Sequence, residues 1–214
     1  MPNYKIEKDN EYMYKIQITG DYRAILYQSI VKQLSSSIYN EDKDAIFVIA
    51  ETVETLKDYL LEQSRIRISD GNCINMIYFL TNQILFLQNQ GYCIYGLDID
   101  DILVINKSIF KICNTAFLLP IQKEHIHFYS PITTPYFYNP KLLELTTLPA
   151  SIHYKTSYYS LGALTVFCLL NTYLLVGNDR MSDKDIERVL TPYKGTKIYW
   201  FIKRCLQDNE LLLI

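Results

Sequence analysis

Glycine is scarce in this chain, at seven residues in 214, and the first is Gly20. No G-x-G-x-x-G or P-loop run occurs, so a glycine-rich loop that wraps nucleotide phosphates is excluded. No G-x-S-x-G or H-E-x-x-H sequence occurs either, which removes the common serine-hydrolase and zinc-protease signatures. The five cysteines, at 73, 93, 113, 168 and 205, form no C-x-x-C pair and have no His at ligand spacing. Reduced core thiols in a cytosolic compartment are expected, with neither disulfides nor metal. There is no basic excess: 21 Lys and Arg face 23 Asp and Glu. A net charge of −2 offers nucleic acid no general attraction. The opening residues MPNYKIEKDNEY contain no apolar core of a signal peptide, so secretion is not expected.

What is present suits a packed protein. Apolar residues make up 49% and charged residues 21% of the chain, which argues against disorder. The length suffices for one large domain or two small lobes. Tyr158–Gly177, YYSLGALTVFCLLNTYLLVG, has no charge. It fits a membrane span by length, and equally a helix buried on all sides. Asn171, Ser160 and two threonines favour the buried helix.

The periodicities then divide the chain. Tyr4–Gly20 reads as two strands around Lys8–Glu11, and Ala45–Ala50 as a buried strand. Tyr22–Tyr39 loosely fits a helix, and Thr55–Gln63 fits a short one. Asn72–Gln90 carries an apolar ladder at Ile77, Leu80, Ile84 and Leu87 and predicts a helix ending before Gly91. Short strands are expected at Ile102–Ile105 and Ile109–Cys113. Ala116–Ile152 holds five prolines and reads as an irregular excursion. Helices are expected again over Tyr158–Val176, Asp183–Leu190 and Thr196–Gln207.

The stretch Gly91–Asn114, GYCIYGLDIDDILVINKSIFKICN, reads as helix end, polar loop, strand, turn and strand. Protein kinases place H-R-D-x-x-x-x-N, a hairpin and D-F-G in that layout. Further phrases follow in kinase order. YQSIVKQLSSSIY at 27–39 is similar to the small-lobe helix, FVIAETVETLKDYL at 47–60 to the strand, hinge and first large-lobe helix, and YNPK at 138–141 to A-P-E. YKTSYYSLGALTVFCLL at 154–170 is similar to the central buried helix, and IKRCLQDN at 202–209 to a late large-lobe helix. The chain thus resembles the eukaryotic protein kinase family along nearly its whole length. The resemblance implies an α+β, kinase-like fold, with a reduced β-containing N-lobe at 1–52 and a mainly helical C-lobe at 53–214.

On the same resemblance the reactive groups are missing. The general base falls on Gly96, which cannot accept a proton. The motif's Asn falls on Asp101 and the D-F-G Asp on Asn114, which lacks the charge that magnesium needs. Lys15, in M-Y-K-I, stands at the place of the strand lysine, and its Glu partner is replaced by Tyr27. Asp98, Asp100 and Asp101 cluster beside Gly96, either as a solvated loop or as a displaced base or cation site. His125, His127 and His153 complete no metal pattern.

Three functions follow. The first is a catalytically inactive kinase-like scaffold or regulator that binds another protein, with no cofactor, metal, nucleic acid or membrane expected. Its candidate contacts are Phe128, Tyr129, Tyr136, Phe137 and Tyr138, which fit equally a role as core. The second is a divergent nucleotide-dependent transferase using Lys15 with Asp98, Asp100 and Asp101. The third is a protein anchored by a span at 158–177. The 19 tyrosines, with frequent Ile and Asn, suit an AT-rich genome such as that of a large DNA virus, and the expected location is the cytoplasm.

Overall fold

The computed structural model describes residues 3–63, 67–132, 135–177 and 179–207 of a mixed α+β protein with several small sheets. Strands β1 (Tyr4–Asn10) and β2 (Met13–Ile18) form an antiparallel hairpin, as the alternation Tyr12–Ile18 requires. Helix α1 (Arg23–Val31) follows, then β3 (Ser37–Asn40) and β4 (Ala45–Ile49). The sheet order is β1-β2-β4-β3.

The helix expected over Tyr22–Tyr39 is therefore half that length. Residues 37–40 instead pair with β4, from Ser37 opposite Val48 to Asn40 opposite Ala45. The serines and the β-branched Ile38 carry little helix preference, so a free sheet edge outcompetes helix extension.

Strand β5 (Val53–Thr55) leads into α2 (Leu56–Glu62), whose first turn is capped by Thr55 accepting from the Asp58 amide. Helix α3 (Asp70–Asn89) is capped by Ser69 and buries Cys73, Met76, Leu80, Gln83, Ile84 and Leu87, spaced by three and four. Short strands β6 (Tyr92–Ile94) and β7 (Gly96–Leu97) precede β8 (Ile102–Ile105) and β9 (Ile109–Ile112). The β8–β9 hairpin lies where the apolar runs put it, with β5 added on its free side. Gln83 ties three elements together. Its Nε2 donates to Ser29 Oγ on α1 and to the Ile112 carbonyl on β9, and its Oε1 accepts from the Ile112 amide, all within 2.8–2.9 Å.

The proline-rich excursion is more ordered than its composition suggests. It contributes β10 (Leu118–Pro120) paired with β6, β11 (His125–Phe128) with β13 (Ala150–His153), and β12 (Phe137–Tyr138) with β7. Each is short, so the prolines fall at strand ends or between strands.

Helix α4 (Ser157–Leu170) is buried along nearly its whole circumference. It stops six residues before the expected end, because Asn171 turns left-handed at φ 50° and caps it. The next residues form β14 (Leu175–Val176), paired with β15 (Asp179–Arg180). At fourteen residues α4 is too short to span a bilayer, and among the described residues no helix is long and apolar enough to cross a membrane. The span at 158–177 is thus corrected to a core helix and a hairpin strand. Helices α5 (Asp183–Leu190) and α6 (Lys197–Cys205) close the described chain, with α6 packed on α4. All five cysteines are buried and free, and no metal-competent cluster of His, Cys, Asp and Glu exists among the described residues.

Candidate functional site

The loop from Gly96 to Asp101 runs off β7 through a single 3-10 turn at Ile99–Asp101 into β8. Its far end is pinned by the residue after β9: the Cys113 amide and thiol both donate to the Asp101 carbonyl, at 2.9 and 3.1 Å. This positions Asp101 beside Asn114. Asn114 Nδ2 donates to Asp101 Oδ1 at 2.6 Å, and Asn114 Oδ1 accepts from the Ala116 amide at 2.9 Å. Both ends of the amide thus help to hold the loop. Asp101 is 5% exposed, and its Oδ2 has no hydrogen-bond partner. Burial pushes its carboxyl up to about 7, the Asn114 bond works against that rise, and Asp98 and Asp100 add to it.

The other two acids are spoken for differently. Asp98 Oδ1 accepts from the Tyr136 amide, and burial with the nearby Asp100 raises its pKa. Asp100 pairs with Lys57 of α2 at 3.2 Å, and its carbonyl accepts from the Tyr4 hydroxyl of β1. Lys57 and Tyr4 belong to this site by contacts that span 43 and 96 residues of sequence, so no local pattern announces them.

Gly96 is a packing requirement. A Cβ there would stand 2.0 Å from Pro135 Cγ, because β12 pairs across it with Tyr138 opposite Gly96. An acid at this position cannot be seated without moving the 135–138 segment.

Lys15 lies elsewhere. Ile16 and Ile18 of β2 are buried, so Lys15 projects from the opposite face, where its Nζ is 3.5 Å from Glu7. It does not line the cavity beside the acids. Lys15 and the acids at 98, 100 and 101 are therefore not brought together. Tyr27 is a structural lock: its hydroxyl accepts from the Ile18 amide at 2.7 Å and donates to the Asp44 carbonyl at 2.8 Å. A second join lies near Asn114. Thr115 Oγ1 donates to the Thr19 carbonyl at 3.0 Å, and a Cβ on Gly20 would meet that same Oγ1 at 2.7 Å. The residues just after β2, Thr19 and Gly20, thus sit directly on Thr115.

The five aromatic contact candidates divide. Phe128 is buried edge-on to Tyr95 at 5.2 Å, Phe137 packs on Phe167 at 5.4 Å, and Tyr138 is buried in the β7 pairing. Burial gives those three the core role, one of the two open to them, and Phe128 also lines the cavity over the loop. Tyr129 and Tyr136 are exposed, at 74% and 62%.

A cavity of about 1000 Å³ opens over this loop. Its acidic wall is Asp58, Asp98, Asp100 and Asp101, with Lys57 among them. Its aromatic wall includes Tyr95, Phe117 and Phe128, and Tyr129, Ser130 and Pro131 form an exposed rim. Chemically it offers carboxylates and ring faces, with one lysine already paired. No protein-family model matches this chain, and no curated protein matches its sequence.

Proposed function

We propose that this chain is a catalytically inactive, kinase-like protein that works by binding another protein. The observation that carries this reading is the direct join between Thr19–Gly20, just after β2, and Thr115. If the sequence resemblance holds, nucleotide phosphates would have to lie between those two parts, and Thr115 and Thr19 are already hydrogen-bonded there. Three further features support it. The position of the general base is Gly96, closed by Pro135. The position of the metal-binding Asp is Asn114, bonded to Asp101 and Ala116. The position of the lysine's Glu partner is Tyr27, consumed by the sheet. Phosphoryl transfer needs held phosphates, metal charge and an oriented acceptor, and each of these positions has been turned to packing.

The test is thermal stability of the purified chain with ATP, with and without magnesium, beside a phosphotransfer assay. A ligand at a hundredfold excess over its Kd stabilises by about 2.7 kcal/mol, which moves the midpoint visibly. No shift and no transfer are expected. A magnesium-dependent shift overturns the reading in favour of a divergent transferase, for which the unsatisfied Oδ2 of Asp101 is the one supporting feature.

A further inference from the structure

We propose that the acidic cavity over the 96–101 loop receives an arginine- or lysine-bearing segment of the partner protein. The cationic chemistry follows from the cavity itself, while its source in a protein partner rests on the interaction reading above.

The charge balance comes first. Asp58, Asp98, Asp100 and Asp101 face the space, and the lysine that shares it, Lys57, is paired to Asp100. Among the described residues that line it, carboxylates outnumber lysines four to one, an excess that repels phosphates and attracts ammonium or guanidinium groups. The second observation is independent of that count. Asp101 is nineteen-twentieths buried, and one of its carboxylate oxygens has no donor at all. A buried acceptor left unmade is costly, and an incoming N–H supplies what it lacks. Guanidinium suits the place well, since its fork reaches a carboxylate with two donors.

The remaining wall fits the same ligand. Buried Phe128 and exposed Tyr129 both line the cavity, so a cationic side chain entering past Tyr129 meets aromatic rings. The volume of about 1000 Å³ exceeds what one side chain fills and suits a short stretch of extended chain. Tyr129, exposed and set at the mouth, offers contact area at small entropic cost.

The experiment is fluorescence anisotropy of a labelled hexapeptide of alternating alanine and arginine, at about pH 8, above the Asp101 value of about 7. The same peptide with citrulline in place of arginine is the neutral control, and spermidine is the free-polyamine competitor. The arginine peptide is expected to bind and the citrulline peptide to bind at least about tenfold more weakly. Asp101→Asn is expected to weaken the arginine peptide at least about tenfold, and Tyr129→Ala about threefold. Asp183→Asn, on the exposed start of α5, is expected to leave it unchanged. Equal binding of the two peptides, an undiminished affinity in both Asp101→Asn and Tyr129→Ala, or tighter binding of spermidine than of peptide overturns the proposal. MgATP-dependent phosphorylation of a bound peptide carrying a serine would overturn the inactive-kinase reading and leave the cationic site standing.

Discussion

Asn114 and Asp101 share one hydrogen bond, Nδ2 to Oδ1 at 2.6 Å, while the second oxygen of the same carboxylate is buried without a donor. The pair holds a loop in place at the cost of an unsatisfied buried oxygen, and that imbalance has measurable consequences.

Stability should fall as pH rises from about 4 to about 7. The Asp101 carboxyl is held near 7 in the fold against 3.8 in a free aspartate. Between these values the folded state keeps a proton that the unfolded chain releases, so the contribution is full below about 4 and gone above about 7. Urea melts across this range should show a decline of up to about 1.4 kcal/mol per pH unit from this group. In Asp101→Asn the decline should flatten, because the amide keeps the acceptor for Asn114 and carries no charge.

Lys111 should produce the opposite slope at higher pH. It lies fully buried on β9, donates to Gln33 Oε1 at 2.6 Å and faces the Phe79 ring at 4.9 Å. Burial drives its amine down to about 8 from an ordinary 10.5. The unfolded chain binds the proton more strongly over that interval, so stability should rise with pH from about 8 to about 10. Lys111→Met should abolish this rise and raise stability at pH 7, as seen in guanidinium titration.

Gly96→Asp, which would place an acid where the proposed kinase-like reading expects a general base, should destabilise by about 1–3 kcal/mol through overpacking against Pro135. It should restore no phosphotransfer. A stable Gly96→Asp chain with measurable transfer would contradict both the packing argument and the proposed function.

Tyr27→Phe should cost about 1–3 kcal/mol, since the Ile18 amide and the Asp44 carbonyl both lose their partner inside the fold. Tyr27→Glu should cost more, because a shorter, charged group would sit in the same buried place. Thermal melts of the two variants side by side give the order.

Much of the architecture was legible in the residues. The β1–β2 hairpin, α3, the β8–β9 hairpin, α5 and α6 all lie within a few residues of where period and apolar runs put them. The failures have a common source. Ser37–Asn40 became a strand because β4 offered an edge, and Tyr173–Val176 left the helix because Asn171 ended it. Both outcomes depend on a neighbour or a backbone turn that hydrophobicity does not encode. Within the site, the acids at 98, 100 and 101 were visible as a cluster, but their roles were not. One is paired with Lys57, one holds the Tyr136 amide and one is left with an empty oxygen.

The sequence by itself determined what is absent and what must be buried. The seven glycines form no G-x-G-x-x-G run within these 214 residues, and the uncharged run from 158 to 170 demands an apolar surrounding. Tertiary structure alone decided which surroundings those are. It put Lys15 on the far face of β2, made core of Phe128, Phe137 and Tyr138, and set Thr115 against Thr19 and Tyr4 against Asp100, each across 96 residues. Periodicity reports how often a side chain turns inward, because helix and strand repeat locally. It carries no record of which distant segment meets it, and that meeting turned the loop at 96–101 into an acidic cavity.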